Sequence, residues 1–290
     1  MPANTPYPLI RVFLLSSLAM LAFAGNSLLC RLALKSASID PASFTGVRLV
    51  SGALVLALLV RVRSGAFSRR GDWPSALALF VYAGGFSWAY LQLTTATGAL
   101  LLFGAVQLSM VLFGLWRGER LHGMQWLGLL CACAGLVYML LPGLSAPPLS
   151  ASLLMLAAGV AWGVYSLRGR GQGDPTAVTA GNFWRASVLA LPLVAFNAPW
   201  SGAHVQAHGL LLALASGALA SGLGYSIWYT AVRSLTPAVA ASVQLTVPAL
   251  AALGAVLFLG ESISLRLALS SLVILGGVAL VIVGKPRARS

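Results

Sequence analysis

Gly85 to Ala99 reads Gly-Phe-Ser-Trp-Ala-Tyr-Leu-Gln-Leu-Thr-Thr-Ala-Thr-Gly-Ala, and Gly224 to Ala238 reads Gly-Tyr-Ser-Ile-Trp-Tyr-Thr-Ala-Val-Arg-Ser-Leu-Thr-Pro-Ala. At a constant offset of 139 residues the two share Gly85/Gly224, Ser87/Ser226, Tyr90/Tyr229, Thr97/Thr236 and Ala99/Ala238, with Phe86 opposite Tyr225. Matches among Leu, Ala and Val arise cheaply in an apolar chain; matched Gly, Ser, Tyr and Thr in one register do not. A second echo sets Asp40-Pro41-Ala42-Ser43-Phe44-Thr45 against Asp174-Pro175-Thr176-Ala177-Val178-Thr179, offset 134. The chain therefore reads as two homologous halves, residues 1–145 and 146–290, and such self-similarity outranks every other signal in a first reading.

Composition says where those halves live. Of the 290 residues 59% are hydrophobic and 8% charged, with a mean hydropathy of +0.91, whereas a soluble domain carries about 25% charged residues. Apolar runs of about 20 residues recur throughout, each long enough to cross a hydrocarbon core as a helix. A backbone in lipid must satisfy its own hydrogen bonds, which selects helices over open strands. The expected class is an all-α integral membrane protein. Ten spans are expected at about 9–34, 42–60, 74–96, 98–116, 123–141, 150–168, 176–196, 208–232, 238–259 and 264–284. Arg11, the apolar run after it and Ala22-Phe23-Ala24 have the outline of a secretory signal. The run continues through Leu28-Leu29 and Leu32-Ala33-Leu34, however, and cleavage would remove half of a helix that the second half keeps.

A net charge of +13 raises nucleic acid as a partner, but the basic residues lie between the apolar runs. With the N-terminus inside, thirteen Lys and Arg fall on the inner segments and three, Arg31, Lys35 and Arg266, on the outer ones. That asymmetry is the positive-inside pattern; it expects a multi-pass protein of the inner (plasma) membrane with both termini cytoplasmic, and no nucleic acid. Cys30, Cys131 and Cys133 offer neither a disulfide framework nor a metal set and read as small buried hydrophobes. Five spans per half force the second half to enter the membrane upside down. The result is an inverted repeat, the architecture of alternating access with a solute site between the halves.

These features resemble the drug/metabolite transporter superfamily, in its ten-helix branch of two EamA-type repeats. The resemblance is carried by Tyr90 with Gly98-Ala99 and Tyr229 with Pro237-Ala238, by the Asp-Pro starts at 40 and 174, and by Gly118-Glu119 and Gly260-Glu261. Val243-Gln244-Leu245-Thr246-Val247-Pro248 is similar to the family's proline-bearing ninth helix; the first half keeps Val106-Gln107-Leu108 but has Val111 where the proline would fall. The resemblance implies a carrier of small metabolites, often outward, with amino-acid exporters of the YddG kind as a subgroup. It implies no cofactor.

Candidate residues are weighed against ordinary membrane roles. The five carboxylates, Asp40, Asp72, Glu119, Asp174 and Glu261, and the histidines His122, His204 and His208 all fall at span ends or in links. An ionisable group in mid-membrane would be a functional candidate; none of these is one, so proton-driven exchange is disfavoured. Arg48 and Arg185 lie inside spans, where snorkelling competes with attraction for a substrate carboxylate. Aromatic belts explain part of the Trp and Tyr set, while amides within spans need partners. The expected substrate-binding residues are Asn26, Tyr82, Trp88, Gln107, Trp162, Tyr165, Tyr225, Trp228 and Gln244, drawn from a wider polar and aromatic set that also holds Phe86, Tyr90, Gln92, Asn182, Trp184 and Tyr229. Gln107 and Gln244 occupy matching repeat positions. Gly85 and Gly224 are expected hinges, and Pro248 is expected to kink the ninth span. Aromatic walls with a few amides suit a small amphipathic or zwitterionic solute, amino acids first; multidrug or nucleobase export is the alternative. No HExxH, CxxC, GxSxG or Walker loop supports an integral-membrane enzyme. The expected partners are a small-molecule substrate and the bilayer, and the expected state is a monomer.

Overall fold

The computed structural model of the protein describes residues 8–65, 70–118, 120–143, 145–169, 173–200, 203–235, 240 and 243–283. These form ten helical segments: α1 (Leu9–Lys35), α2 (Pro41–Ser64), α3 (Trp73–Tyr90), α4 (Thr95–Trp116), α5 (Gly123–Leu140), α6 (Leu149–Arg168), α7 (Pro175–Trp200), α8 (Ala207–Ser234), α9 (Thr246–Leu259) and α10 (Leu265–Val283). Eight of them are long and apolar enough to cross a membrane; α3 and the shorter apolar α9 fall below that measure. Large apolar side chains such as Leu58, Leu130, Leu211 and Leu272 are exposed on the outside of the bundle, as lipid-facing surfaces require.

Local chemistry sets the helix ends. Asp40 Oδ1 accepts the N–H groups of Ala42 and Ser43 at 3.1 and 3.0 Å, with Pro41 opening α2. Asp174 Oδ1 accepts the N–H of Thr176 at 3.0 Å ahead of α7. Both Asp-Pro echoes are thus N-caps with proline in the first turn, where its missing N–H is no loss. The two Gly-Glu dipeptides are stop signals: Gly118 and Gly260 follow α4 and α9 with φ of +89° and +62°, a left-handed conformation that terminates helices and favours glycine.

Bonds between the links show that successive helices alternate direction. At one end, Arg31 after most of α1 reaches the carbonyls of Tyr90 and Leu91 and the carboxylate of Glu261. At that same end Asn197 donates to Asp40, Gln206 N–H donates to Ser38 O, and Arg266 bonds Leu141 O. At the other end Arg168 meets Asp72, Asn182 accepts the Asp72 N–H, and Arg233 bonds Gly173 O. Helix α1 consequently runs toward the first end and its counterpart α6 away from it. Packing repeats under the same exchange: α3 lies on α6 as α8 lies on α1, α4 on α6 as α9 on α1, and α2–α7 and α5–α10 pair with themselves.

The duplicated stretch supplies those crossings. A Cβ on Gly85 would stand 3.2 Å from Leu154 O, and one on Gly224 2.9 Å from the Ala22 Cβ, so each shared glycine lets its helix close on the opposite repeat. Ser87 accepts from Thr45 at 2.8 Å and Ser226 pairs with Thr176 at 3.2 Å, tying α3 to α2 and α8 to α7.

Two expected boundaries move. The third span ends at Tyr90 rather than near 96, because Thr94 caps a new helix by accepting the Thr97 N–H and Glu261 Oε2 accepts the Thr95 N–H at 2.8 Å. In the ninth, Val243 and Gln244 are helical, the chain turns at Leu245, and α9 begins at Thr246. Pro248 lacks the N–H that would bond the carbonyl four residues back, that of Gln244. The expected kink is therefore a break one turn ahead of the proline. Gly85 lies within uninterrupted α3.

Candidate functional site

On α1, Met20, Phe23, Asn26, Ser27 and Cys30 are all buried, a stripe at three- and four-residue spacing that lies on one helix face. Tyr82 and Phe86, four apart on α3, and Leu102 and Phe103 on α4 meet that stripe; Trp162 of α6 and Tyr225 of α8 close it from the second repeat. Phe23, Asn26 and Ser27 of the stripe and these six residues line a cavity between the repeats. Its space holds about one water molecule, so a larger solute requires the rings to move.

Trp162 is the hub. Its ring centroid lies 4.9 Å from Tyr82, 4.8 Å from Tyr225, 5.5 Å from Tyr165 and 6.3 Å from Phe23. Phe23 in turn stands edge-on to Tyr225 and Trp228. Polar atoms edge this wall. Asn26 Nδ2 donates to the Tyr82 hydroxyl at 3.4 Å, its Oδ1 accepts from Ser216 at 2.7 Å, and the Tyr225 hydroxyl donates to that of Tyr82 at 3.5 Å.

Ser216 bonds Asn26 from the point where α8 changes winding. Ser216–Leu223 is π-helical, closed by Gly224 N–H bonding Leu219 O, five residues back. At 3.6 residues per turn, side chains five apart diverge by about 140°; bonding five apart stacks them. Ser216 and Ser221 thus share a face, one bonding Asn26 and the other Arg48. Gly217 sits between them because a Cβ there would run into Ser51 and the Arg48 carbonyl of α2.

Arg48 is 1% exposed, which removes snorkelling. Its Nε donates to Ser221 Oγ at 3.1 Å and its Nη2 to the Tyr82 hydroxyl at 2.8 Å. The guanidinium carbon stands 5.0 Å from the Tyr82 ring centroid and 4.8 Å from that of Phe86. Nη1 is buried with no hydrogen-bond partner, and no ion pair to Arg48 occurs among the described residues. Burying such a cation costs several kcal/mol, offset in part by cation–π contacts worth up to about 2 kcal/mol each when desolvated. Arg185 differs: half-buried near the opposite end of the bundle, it bonds the carbonyls of Arg70 and Gly181.

Of the residues expected to bind substrate, Asn26, Tyr82, Trp162 and Tyr225 line the cavity, and Tyr165 and Trp228 back its rings. Trp88 is half-buried and outside the ring cluster. Gln107 is buried one turn beyond Phe103, while Gln244 is half-buried before the break at Leu245; no hydrogen bond joins the two among the described residues. Asn182 is a structural tie whose Oδ1 accepts the Asp72 N–H at 2.9 Å. Sequence reasoning missed Phe23, Ser27, Leu102, Phe103 and the two serines of α8. The spacing of Phe23 to Asn26 and Ser27 was the available signal for the first two; the π-turn had none beyond its small residues.

The two ends are held differently. At the first, Arg31 Nε pairs with Glu261 Oε1 at 3.2 Å, side chains 12% and 7% exposed, while Glu261 Oε2 accepts the Thr95 N–H. At the other, Arg168 meets Asp72 at 3.0 Å in the open. Burial nudges the Asp72 carboxyl up, but hydrogen bonds from Ser75 and Arg168 outweigh it and hold the pKa below its ordinary 3.8. Glu119 lies outside the described residues. Among those described, no three His, Cys, Asp or Glu cluster to hold a metal.

An apolar exterior and paired repeats, with a polar-edged aromatic cavity between them, define a multi-pass membrane protein. Residues 10–141 and 149–283 each match the EamA-like transporter family. A relative from Pseudomonas aeruginosa, an uncharacterized protein, is 58% identical over 274 residues, covering 94% of each chain. An uncharacterized transporter of Archaeoglobus fulgidus is 26% identical across 93% of this chain and 96% of its own. A solved crystal structure superposes with a TM-score of 0.62 at 21% identity, covering 91% of this chain and 95% of the other; that likeness concerns the fold alone. The chain belongs to the EamA-like transporter family and is a membrane transporter.

Proposed function

We propose that the protein carries small amphipathic or zwitterionic metabolites, amino acids foremost, across the inner membrane by alternating access between repeats 1–145 and 146–290. All ten helices cross, α3 and α9 included, with both termini in the cytoplasm as the Lys and Arg distribution favours. The protein works as a monomer without a cofactor, and flux follows the solute gradient or exchange. The observation that carries this reading is the cavity shared by both repeats, whose stacked rings offer an apolar wall and whose Asn26 and Tyr82 offer donors and acceptors. The half-buried Arg31–Glu261 pair closes one end, and exchange of the packing between repeats would move closure to the other.

Uptake into liposomes of radiolabelled amino acids, nucleobases and quaternary cations tests it. Saturable amino-acid flux is expected. Saturable flux of nucleobases or cations alone would move the chain to the alternative exporters, and no flux of any solute would overturn the carrier reading. Trp162→Ala should shift preference between large and small side chains more than it lowers total flux, because it removes a wall rather than a polar contact.

A further inference from the structure

We propose that Arg48 is the recognition point for the carboxylate of the transported solute, an inference that rests on the transporter reading above and narrows its substrate to carboxylate-bearing molecules. The guanidinium is fully buried at the level where α2, α3 and α8 meet, with no carboxylate paired to it among the described residues. Both of its hydrogen-bonded partners, Ser221 and Tyr82, are neutral hydroxyls. Its Nη1 is buried and unbonded. A structural strut would be expected to end with its donors used and its charge countered, since an uncompensated buried charge destabilises the fold that holds it. A cation kept dry, with a free donor, is instead poised to receive an anion.

The position suits that role. Tyr82 and Phe86, whose rings flank the guanidinium at 5.0 and 4.8 Å, are themselves walls of the cavity. The charge therefore lies one ring's thickness from the solute space. The rearrangement that makes room for a solute must displace those same rings, and it would uncover Nη1 to the cavity. Asn26 and Tyr82, already bonded to each other there, supply neutral hydrogen bonds to the rest of the polar head. A fixed cation in low dielectric attracts carboxylates and repels amines, so the same residue sets selectivity.

The test compares three ligands of one shape on purified protein: L-phenylalanine, 3-phenylpropionate and phenethylamine. The wild type should bind one or both carboxylates at least tenfold more tightly than the amine. Preference for L-phenylalanine assigns amino acids, and preference for 3-phenylpropionate assigns organic acids; either order supports Arg48 as the partner. Arg48→Met should weaken carboxylate binding at least tenfold, tighten phenethylamine binding and leave the thermal midpoint equal or higher, with Arg48→Lys recovering part of the loss of carboxylate binding. Equal carboxylate affinity in Arg48→Met, or phenethylamine binding as tightly as the acids to wild type, overturns the proposal while flux of the amine would leave the transporter reading intact. Where Arg48→Met folds poorly, Arg48→Lys and the wild-type comparison still test it, since an amine bound as tightly as the acids overturns it regardless. Absence of saturable flux for all three overturns the amino-acid reading and this one with it.

Discussion

Glu261 is where a single atom change should move the balance between open and closed. Its carboxylate accepts Arg31 Nε at 3.2 Å and the Thr95 N–H at 2.8 Å, joining the ends of α1, α9 and the α3–α4 link in a nearly dry site. Glu261→Gln keeps the shape and one acceptor oxygen but removes the charge and one of the two bonds. Arg31 retains the carbonyls of Tyr90 and Leu91, so the full cost of stranding a buried charge does not apply. The loss is that of one charge-assisted hydrogen bond, about 1.5–3 kcal/mol. At about 1.4 kcal/mol per tenfold, opening at this end should become about 10- to 100-fold more populated. The assay uses Ser27→Cys on the cavity wall, with the three native cysteines replaced, and a membrane-impermeant thiol reagent added from the latched side. Labelling should accelerate by that factor in Glu261→Gln. An unchanged rate, or an acceleration seen only from the opposite side, would refute the latch.

Topology is checked by the same chemistry: cysteines at 145 and 202 should label from outside and one at 65 should not, and labelling at 65 instead would reverse the orientation. At the α5–α10 crossing a Cβ on Gly277 would meet Ala132 N and Gly128 O at 2.6 Å, so Gly277→Val should cost about 1–3 kcal/mol by overpacking. Gly276→Ala, with open space around it, should leave thermal unfolding in detergent unchanged; equal effects at both sites would contradict the close approach. The Asp72 pKa is lowered on folding, so its tie to Ser75 and Arg168 is at full strength above about pH 3.8 and is lost as pH falls through the lower folded value. The difference in thermal midpoint between wild type and Asp72→Asn should accordingly stay constant from pH 8 to 5 and shrink toward pH 3. A difference that changes between pH 8 and 6 would mean another group is responsible.

What the chain determined by itself is one-dimensional information. Membrane residence follows from the low share of charged residues and the long apolar runs, the duplication from shared Gly85/Gly224 and Ser87/Ser226, and the helix ends from Asp-Pro caps and Gly-Glu stops whose partners lie within six residues. The tertiary structure decided which way each helix faces. In a helix apolar on all sides the period of hydrophobicity names no inner face, so Trp88 and Trp162 look equally eligible although only Trp162 meets the cavity. Gln107 and Gln244 matched in sequence, yet a break at Leu245 left one half-exposed. Arg48 was ambiguous between interface and interior until α8 tightened against α2 at Gly217 and, by changing its winding, turned Ser221 toward the guanidinium. Local rules specify where a helix begins and stops; its rotation, and hence its site, depends on contacts with chain more than a hundred residues away.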